Sequence, residues 1–218
     1  MLKLCDFFGV KNKSRDFNLV HRRMVNNVSN NISEFPDNIK ITLIRNNSCC
    51  FREEYKKHTI QINLMSLNKI LNVNTNEVLK YVVVEPNVTM EQITDHLLNL
   101  KHGSYMLQVT PEFKHITIGG AVNGLGIESS SCKYGLFEKT IFKYEVLLTD
   151  GSIIEVTADN EYKDLFFAIP GSYGTLGIIT KVYLYIIPAG KYVKTEYKVL
   201  EKIENIEQEF RERINSNN

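Results

Sequence analysis

Residues 117–129 read Thr-Ile-Gly-Gly-Ala-Val-Asn-Gly-Leu-Gly-Ile-Glu-Ser, four glycines in thirteen positions set between apolar runs. Glycine lacks a Cβ, so its main chain reaches positive φ and can bring N–H groups close to a phosphate or to the rim of a flat ring. The chemistry this favours is the holding of a ligand against bare backbone. A second glycine cluster follows in Gly171-Ser172-Tyr173-Gly174-Thr175-Leu176-Gly177-Ile178-Ile179-Thr180. Gly120, Gly124 and Gly126 are not spaced as Gly-x-Gly-x-x-Gly and no Gly-Lys-Ser/Thr occurs, so neither the Rossmann nor the P-loop fingerprint is present. Taken alone, the first run also fits an unspecified tight turn, and Gly177, Ile178 and Ile179 also fit an ordinary core strand.

Other reactive residue types are dispersed. His21, His96, His102 and His115 are scattered and imply neither a metal site nor a triad, and Arg52, Lys56, Lys57 and His58 read as a solvated charged face. Cys5, Cys49, Cys50 and Cys132 fit neither a zinc site nor a redox Cys-x-x-Cys, which leaves them as free thiols in a reducing compartment. A net charge of +1 gives no general pull toward nucleic acid or anionic membrane. No apolar run approaches the roughly 18 to 20 residues that span a bilayer. The first ten residues, broken by Lys3 and Asp6, make a poor signal peptide. The expected location is cytoplasmic or peripheral to an internal membrane.

The elements that must position the glycine runs are legible in periodicity. Phe17, Val20, Met24, Val28 and Ile32 recur at three and four, with His21, Arg22, Arg23, Asn26 and Asn27 opposite, which predicts a helix from near Ser14 that ends before Pro36. Strands are expected at 39–43, at 59–64 and as a pair through 72–76 into 78–85. Thr89 stands three residues before Gln92, the capping-box spacing, and Ile93, Leu97 and Leu100 carry the helix to about 101. Asp150-Gly151 joins strands at 140–149 and 153–157 as a hairpin. A short helical turn over 164–168 and a long strand over 177–187 complete an α+β pattern. Leu200, Ile203, Ile206, Phe210 and Ile214 form the apolar stripe of a last helix, a stripe that needs a partner surface.

The run Gly-Ile-Glu-Ser-Ser-Ser-Cys-Lys-Tyr-Gly-Leu-Phe at 126–137 resembles the FAD-binding domain of the vanillyl-alcohol-oxidase type, and within it the Δ24-sterol reductases. So do Val84-Glu85-Pro86-Asn87-Val88-Thr89-Met90, Gly174-Thr175-Leu176-Gly177 and Ile186-Ile187-Pro188-Ala189. The resemblance covers about 37–200. It implies a PCMH-type α+β domain at 37–190, made of two lobes (37–86 and 87–190) with mixed and antiparallel sheets. A helical segment at 1–36 would precede it, and the start of a truncated substrate or cap domain at 191–218 would follow. It also implies that 117–129 lies along FAD. Ile118, Gly119, Gly120 and Ala121 would present their amides to the pyrophosphate, with side-chain help from Thr117 and Asn123. Gly124, Leu125, Gly126 and Ile127 would run beside the ribityl group and ring, with Val122, Glu128 and Ser129 also in the segment along the cofactor. Gly177, Ile178 and Ile179 would close the opposite side.

Related flavoproteins attach flavin through a Gly-Gly-Gly-His loop where this sequence has Arg45-Asn46-Asn47-Ser48, so the expected FAD is non-covalent. Cys132 stands where the sterol reductases have histidine, and Gly171 where they have tryptophan. The family's activity would have NADPH reduce FAD and a C=C bond in the side chain of a sterol accept the hydride, and no residue of the sequence stands out as the catalytic acid. A second polypeptide supplying the cap is the expected partner. Two rival readings are a catalytically inactive FAD-binding or structural remnant, and an oxidase of small hydroxy compounds on the same scaffold.

Overall fold

The computed structural model describes residues 13–36, 39–44, 59–76, 78–197, 199 and 204–216. Helix α1 (Lys13–Ser33) follows the predicted span. Its orientation differs from the expectation. His21, Val25 and Ile32 are buried, whereas Phe17 and Val20 are exposed. The helix is rolled so that His21, assigned by periodicity to the solvent side, reaches two carboxylates on the sheet beneath it.

Strands β1 (Lys40–Leu43) and β2 (Thr59–Ile62) pair in parallel. Their inner residues join Val25 and Ile32 of α1, together with Leu64 and Leu67, in a small core completed by Leu147.

The larger sheet holds β3 (Ile70–Asn74), β4 (Tyr81–Val84), β6 (Ile141–Leu147), β7 (Ile153–Thr157) and β8 (Ile178–Pro188) in the order β3-β4-β8-β6-β7, all antiparallel. The short β5 (Tyr105–Leu107) adds to the far end of β8. Side groups alternate across a strand. Val82, Val84, Tyr144, Val146, Val182, Leu184 and Ile186 therefore share one face and pack with Ile93, Leu97, Ile118 and Val122 from the covering helices and with Phe166 of the short helix α5 (Lys163–Ala168). Glu145, Leu147 and Lys181 take the opposite face toward α1.

The α+β class and the mixture of parallel and antiparallel sheets are as expected. β3 and β4 belong to the same sheet as β8, and the two sheets divide between Ile62 and Ile70. The hairpin at Asp150-Gly151 forms, with the Ser152 N–H donating to Asp150 Oδ1 at 2.8 Å. Gly151 takes φ of +85° with its Cα hydrogen facing α1, where a Cβ would sit 3.0 Å from the Ser29 carbonyl. Helix α6 (Glu204–Ser216) leaves Ile206, Phe210 and Ile214 exposed, while Leu200 and Ile203 of the predicted stripe lie outside the described residues.

Candidate cofactor site

Helix α2 (Met90–Leu98) sets the position of the first glycine run. Both halves of its capping box form: Thr89 Oγ1 accepts from the Gln92 N–H at 3.2 Å, and Gln92 Oε1 accepts from the Thr89 N–H at 3.0 Å. The cap residue is extended, and it pairs as an antiparallel bridge with Thr117, itself the N-cap of the short helix α3 (Ile118–Asn123). Two helix starts therefore lie side by side, and the loop 86–89 is the shelf on which 117–123 rests.

The four amides expected to face a pyrophosphate are engaged within the protein. The Ile118 N–H donates to Val88 O at 2.9 Å, Gly119 to Pro86 O at 2.8 Å, Gly120 to Thr117 Oγ1 at 3.1 Å and Ala121 to Thr117 O at 2.8 Å. The reason is the turn of helix itself, whose first N–H groups need acceptors and find them in the cap and the shelf. All four N–H groups thus have an acceptor within the protein. Asn123 also points inward: its Nδ2 donates to Gly119 O at 2.9 Å, and its buried Oδ1 has no partner among the described residues.

The glycines divide by what they touch. A Cβ on Gly119 would come within 3.1 Å of Pro86 Cβ, one on Gly126 within 3.1 Å of Pro111 and 3.3 Å of Phe137, and one on Gly177 within 2.6 Å of Val146 Cγ1. These three serve close packing inside the protein. Gly120 and Gly124 are exposed, and a Cβ on either would meet only the polar edge of α3 itself.

The second glycine run lies directly beside the first. The Gly171 N–H donates to Val122 O at 3.4 Å, and a Cβ on Gly171 would face the Leu125 side group at 3.5 Å. Leu125 and Tyr173, one from each run, hold φ of +51° and +54°, conformations that non-glycine residues adopt at a cost of order 1 kcal/mol or more. Their strain is confined to this junction. Leu125, Ile127, Tyr173 and Leu176 are exposed along its rim, and a Cβ on Gly174 would have nothing within 4 Å among the described residues. Ile178 and Ile179 continue into β8, paired with Leu147 and Val146.

Glu128 and Ser129 close the first run on themselves. Ser129 donates to Glu128 Oε1 from both its N–H and its hydroxyl at 2.7 Å, and these bonds, the backbone one foremost, hold the Glu128 carboxyl below its ordinary range. Cys132 sits in the turn of helix α4 (Ser131–Tyr134) as an exposed free thiol. Gly171, with φ of +75°, places no side group over Leu125. Residues 45–58, with Arg45 to Ser48 and the cations at 52–58, lie outside the described residues.

Taken together, the site offers an exposed main-chain edge at Gly120 and Gly124, open space at Gly174 and an apolar rim. A flat heteroaromatic group carrying a polar tail fits such a surface, with the ring against the rim and the tail along the glycine edge. Among the described residues no group of three or more His, Cys, Asp or Glu residues is placed to hold a metal ion, and no helix is long and apolar enough to cross a membrane.

A family model described as FAD binding domain matches residues 26–157. Delta(24)-sterol reductase of Macaca fascicularis is 44% identical over 155 residues, covering 70% of this protein and 28% of the relative. The Pisum sativum Delta(24)-sterol reductase is 39% identical over 159 residues, 72% of this protein and 27% of the relative. The Delta(24)-sterol reductase homolog dhcr-24 of Caenorhabditis elegans is 34% identical over 197 residues, 84% of this protein and 37% of the relative. The matched part therefore spans 27% to 37% of the length of these curated relatives.

Proposed function

The chain belongs to the FAD binding domain family, and on that premise we propose that it holds FAD non-covalently at the junction of 117–129 and 171–179, in the service of reducing a C=C bond in the side chain of a sterol-like substrate. The observation that carries this reading is the junction itself: two glycine runs, more than 40 residues apart in sequence, meet through the Gly171–Val122 hydrogen bond and leave an uncovered main-chain edge beside an apolar rim. Bound FAD would supply hydride chemistry, with NADPH proposed as the source of electrons.

The protein's own part is to place and shield. Gly120 and Gly124 keep side groups off the edge where the diphosphate tail would run. The Thr117 hydroxyl, already accepting from Gly120, keeps its own proton free to donate. The Ile127 N–H, which no group among the described residues satisfies, is a second donor on the exposed side. Leu125, Ile127, Tyr173 and Leu176 would exclude water from one side of the ring. They are exposed, and a second polypeptide would supply the opposite cover.

A second reading, a flavin-binding or structural remnant without turnover, is favoured by the internal pairing of the amides of Ile118 to Ala121, which leaves fewer donors for an anion than the family resemblance implies. One experiment separates the two. The purified protein is saturated with FAD and freed of unbound cofactor; one portion is precipitated with acid to test for release of the flavin, and another is exposed anaerobically to NADPH. The expected result is one acid-releasable FAD per protein molecule, with an absorbance that bleaches. Binding without bleaching, even with a cap-supplying polypeptide added, would support the flavin-binding remnant, and absence of binding would end the cofactor proposal and leave only the structural remnant.

A further inference from the structure

His21 is almost wholly buried in α1, 1% exposed, and both of its ring nitrogens meet carboxylates: Nδ1 lies 2.6 Å from Glu85 Oε1 and Nε2 2.8 Å from Glu145 Oε1. An ionised carboxylate can only accept, so both nitrogens must donate, and only the protonated imidazolium has two N–H groups. The carboxylates have further donors. Glu85 Oε2 accepts from the Lys69 N–H at 2.7 Å, Glu145 Oε2 accepts from Lys181 Nζ at 2.7 Å, and the Thr180 hydroxyl donates to Glu145 Oε1 at 2.8 Å. Two cations thus balance two anions. The groups come from different elements: His21 from α1, Glu85 from just past the end of β4, Glu145 from β6 and Lys181 from β8.

We propose that His21 is a protonation-controlled latch that fastens α1, and with it the small β1-β2 sheet, to the large antiparallel sheet that bears the candidate cofactor site. A neutral imidazole has one N–H and leaves one buried carboxylate facing a lone pair, with net negative charge enclosed beneath α1. Beneath the helix, the other charged groups do not take over. Lys181 already serves Glu145, and Lys69 contributes its main-chain N–H to Glu85. Lys143 is committed to Glu155 at 2.9 Å and lies over the Tyr183 ring. On α1 itself, Arg22 and Arg23 are exposed. What remains on deprotonation is the apolar contact of Val25 and Ile32 and the bond from the Ser29 hydroxyl to the Gly151 carbonyl, so the latch loosens without the large sheet losing its own core.

The electrostatics agree in sign. Burial pulls the His21 pKa down, but the hydrogen bonds to Glu145 and Glu85 outweigh it and hold the group above its ordinary 6.5. Burial pushes Glu145 up, and the bonds from His21 and Lys181, with the Lys181 charge and the Thr180 hydroxyl, override it and bring it to about 2. A raised histidine stabilises fully below 6.5 and loses that contribution as pH rises through the folded value, whereas a depressed carboxylate stabilises above 4.5 and loses its contribution as pH falls through about 2. The latch is therefore closed between those limits and opens on the alkaline side first.

The test follows backbone amide exchange of the whole protein from about pH 5.5 to about pH 9, corrected for intrinsic rates, together with the ring-nitrogen NMR signals of His21. Both nitrogens are expected to carry protons at about pH 6, and the opening of α1 to rise with pH between 6.5 and the raised His21 titration of the folded state, by at most about tenfold per pH unit, one proton's worth of linkage, and to level off above it, while β6 and β8 stay protected. The His21→Gln variant should exchange faster in α1 at that same low pH and lose the pH dependence. A singly protonated ring there, α1 protection that is flat through the titration, or loss shared equally by β6 and β8 would overturn the latch. So would wild-type pH dependence retained in His21→Gln. The wild-type measurement stands even where the variant fails to fold.

Discussion

Two kinds of glycine line the two runs, and substitution separates them. Gly177 has no room for a methyl group, since its Cβ would lie 2.6 Å from Val146 Cγ1 with the Leu147 carbonyl 3.4 Å away. Gly177→Ala is expected to lower stability by about 1 to 3 kcal/mol through overpacking, read as a drop in the urea midpoint with an unchanged slope. At Gly120 the near neighbour among the described residues is Thr117 Oγ1, at 3.1 Å, and a helical alanine replaces a poor helix former. Gly120→Ala should leave stability within about 1 kcal/mol of the parent while weakening FAD binding by about tenfold, roughly 1.4 kcal/mol. A variant that binds FAD as the parent does would remove Gly120 from the proposed cofactor edge. From sequence, every glycine in the runs announces close approach. What the packing glycines approach is decided by residues outside the run, Pro86 for Gly119, Pro111 and Phe137 for Gly126 and Val146 for Gly177, so the local pattern does not separate a packing glycine from a ligand-facing one.

Elements governed by local chemistry were legible, and elements governed by distant partners were less so. The capping box at Thr89 and Gln92, the Asp150-Gly151 turn and the long β8 strand each follow from neighbours in sequence. The roll of α1 does not. Its apolar periodicity pointed to Phe17 and Val20, and the choice of His21 as a buried residue was made by Glu85 and Glu145, 64 and 124 positions further on. Likewise the 117–123 stretch reads as a loop rich in glycine but closes into α3, since Thr117 supplies a cap and Pro86 and Val88 supply acceptors. Thr89 tests this coupling of elements, because it caps α2 and bridges Thr117 at once. Thr89→Ala should cost about 1 kcal/mol. In a domain of this size that is a fall in Tm of roughly 2 to 4 °C. It should weaken FAD binding as well, whereas the same loss of stability with unaltered binding would show that the α2 cap and the α3 shelf are independent.

At the scale of the whole molecule, a small parallel pair under α1 and a large antiparallel sheet under α2 and α3 form two cores, bridged by Leu147 and by the His21 cluster. The central strand β8 joins the parts: one end enters from the second glycine run, its middle holds Lys181 against Glu145, and its far end receives β5. That arrangement puts the proposed cofactor surface at the mouth of β8, between α3 and the 171–177 turn. The most direct measurement maps backbone amide exchange with and without saturating FAD, under conditions where stoichiometric binding is established. New protection confined to 117–129 and 171–179 is the expected result. Binding that protects other segments and leaves those two unchanged would contradict the assignment of this junction to the flavin.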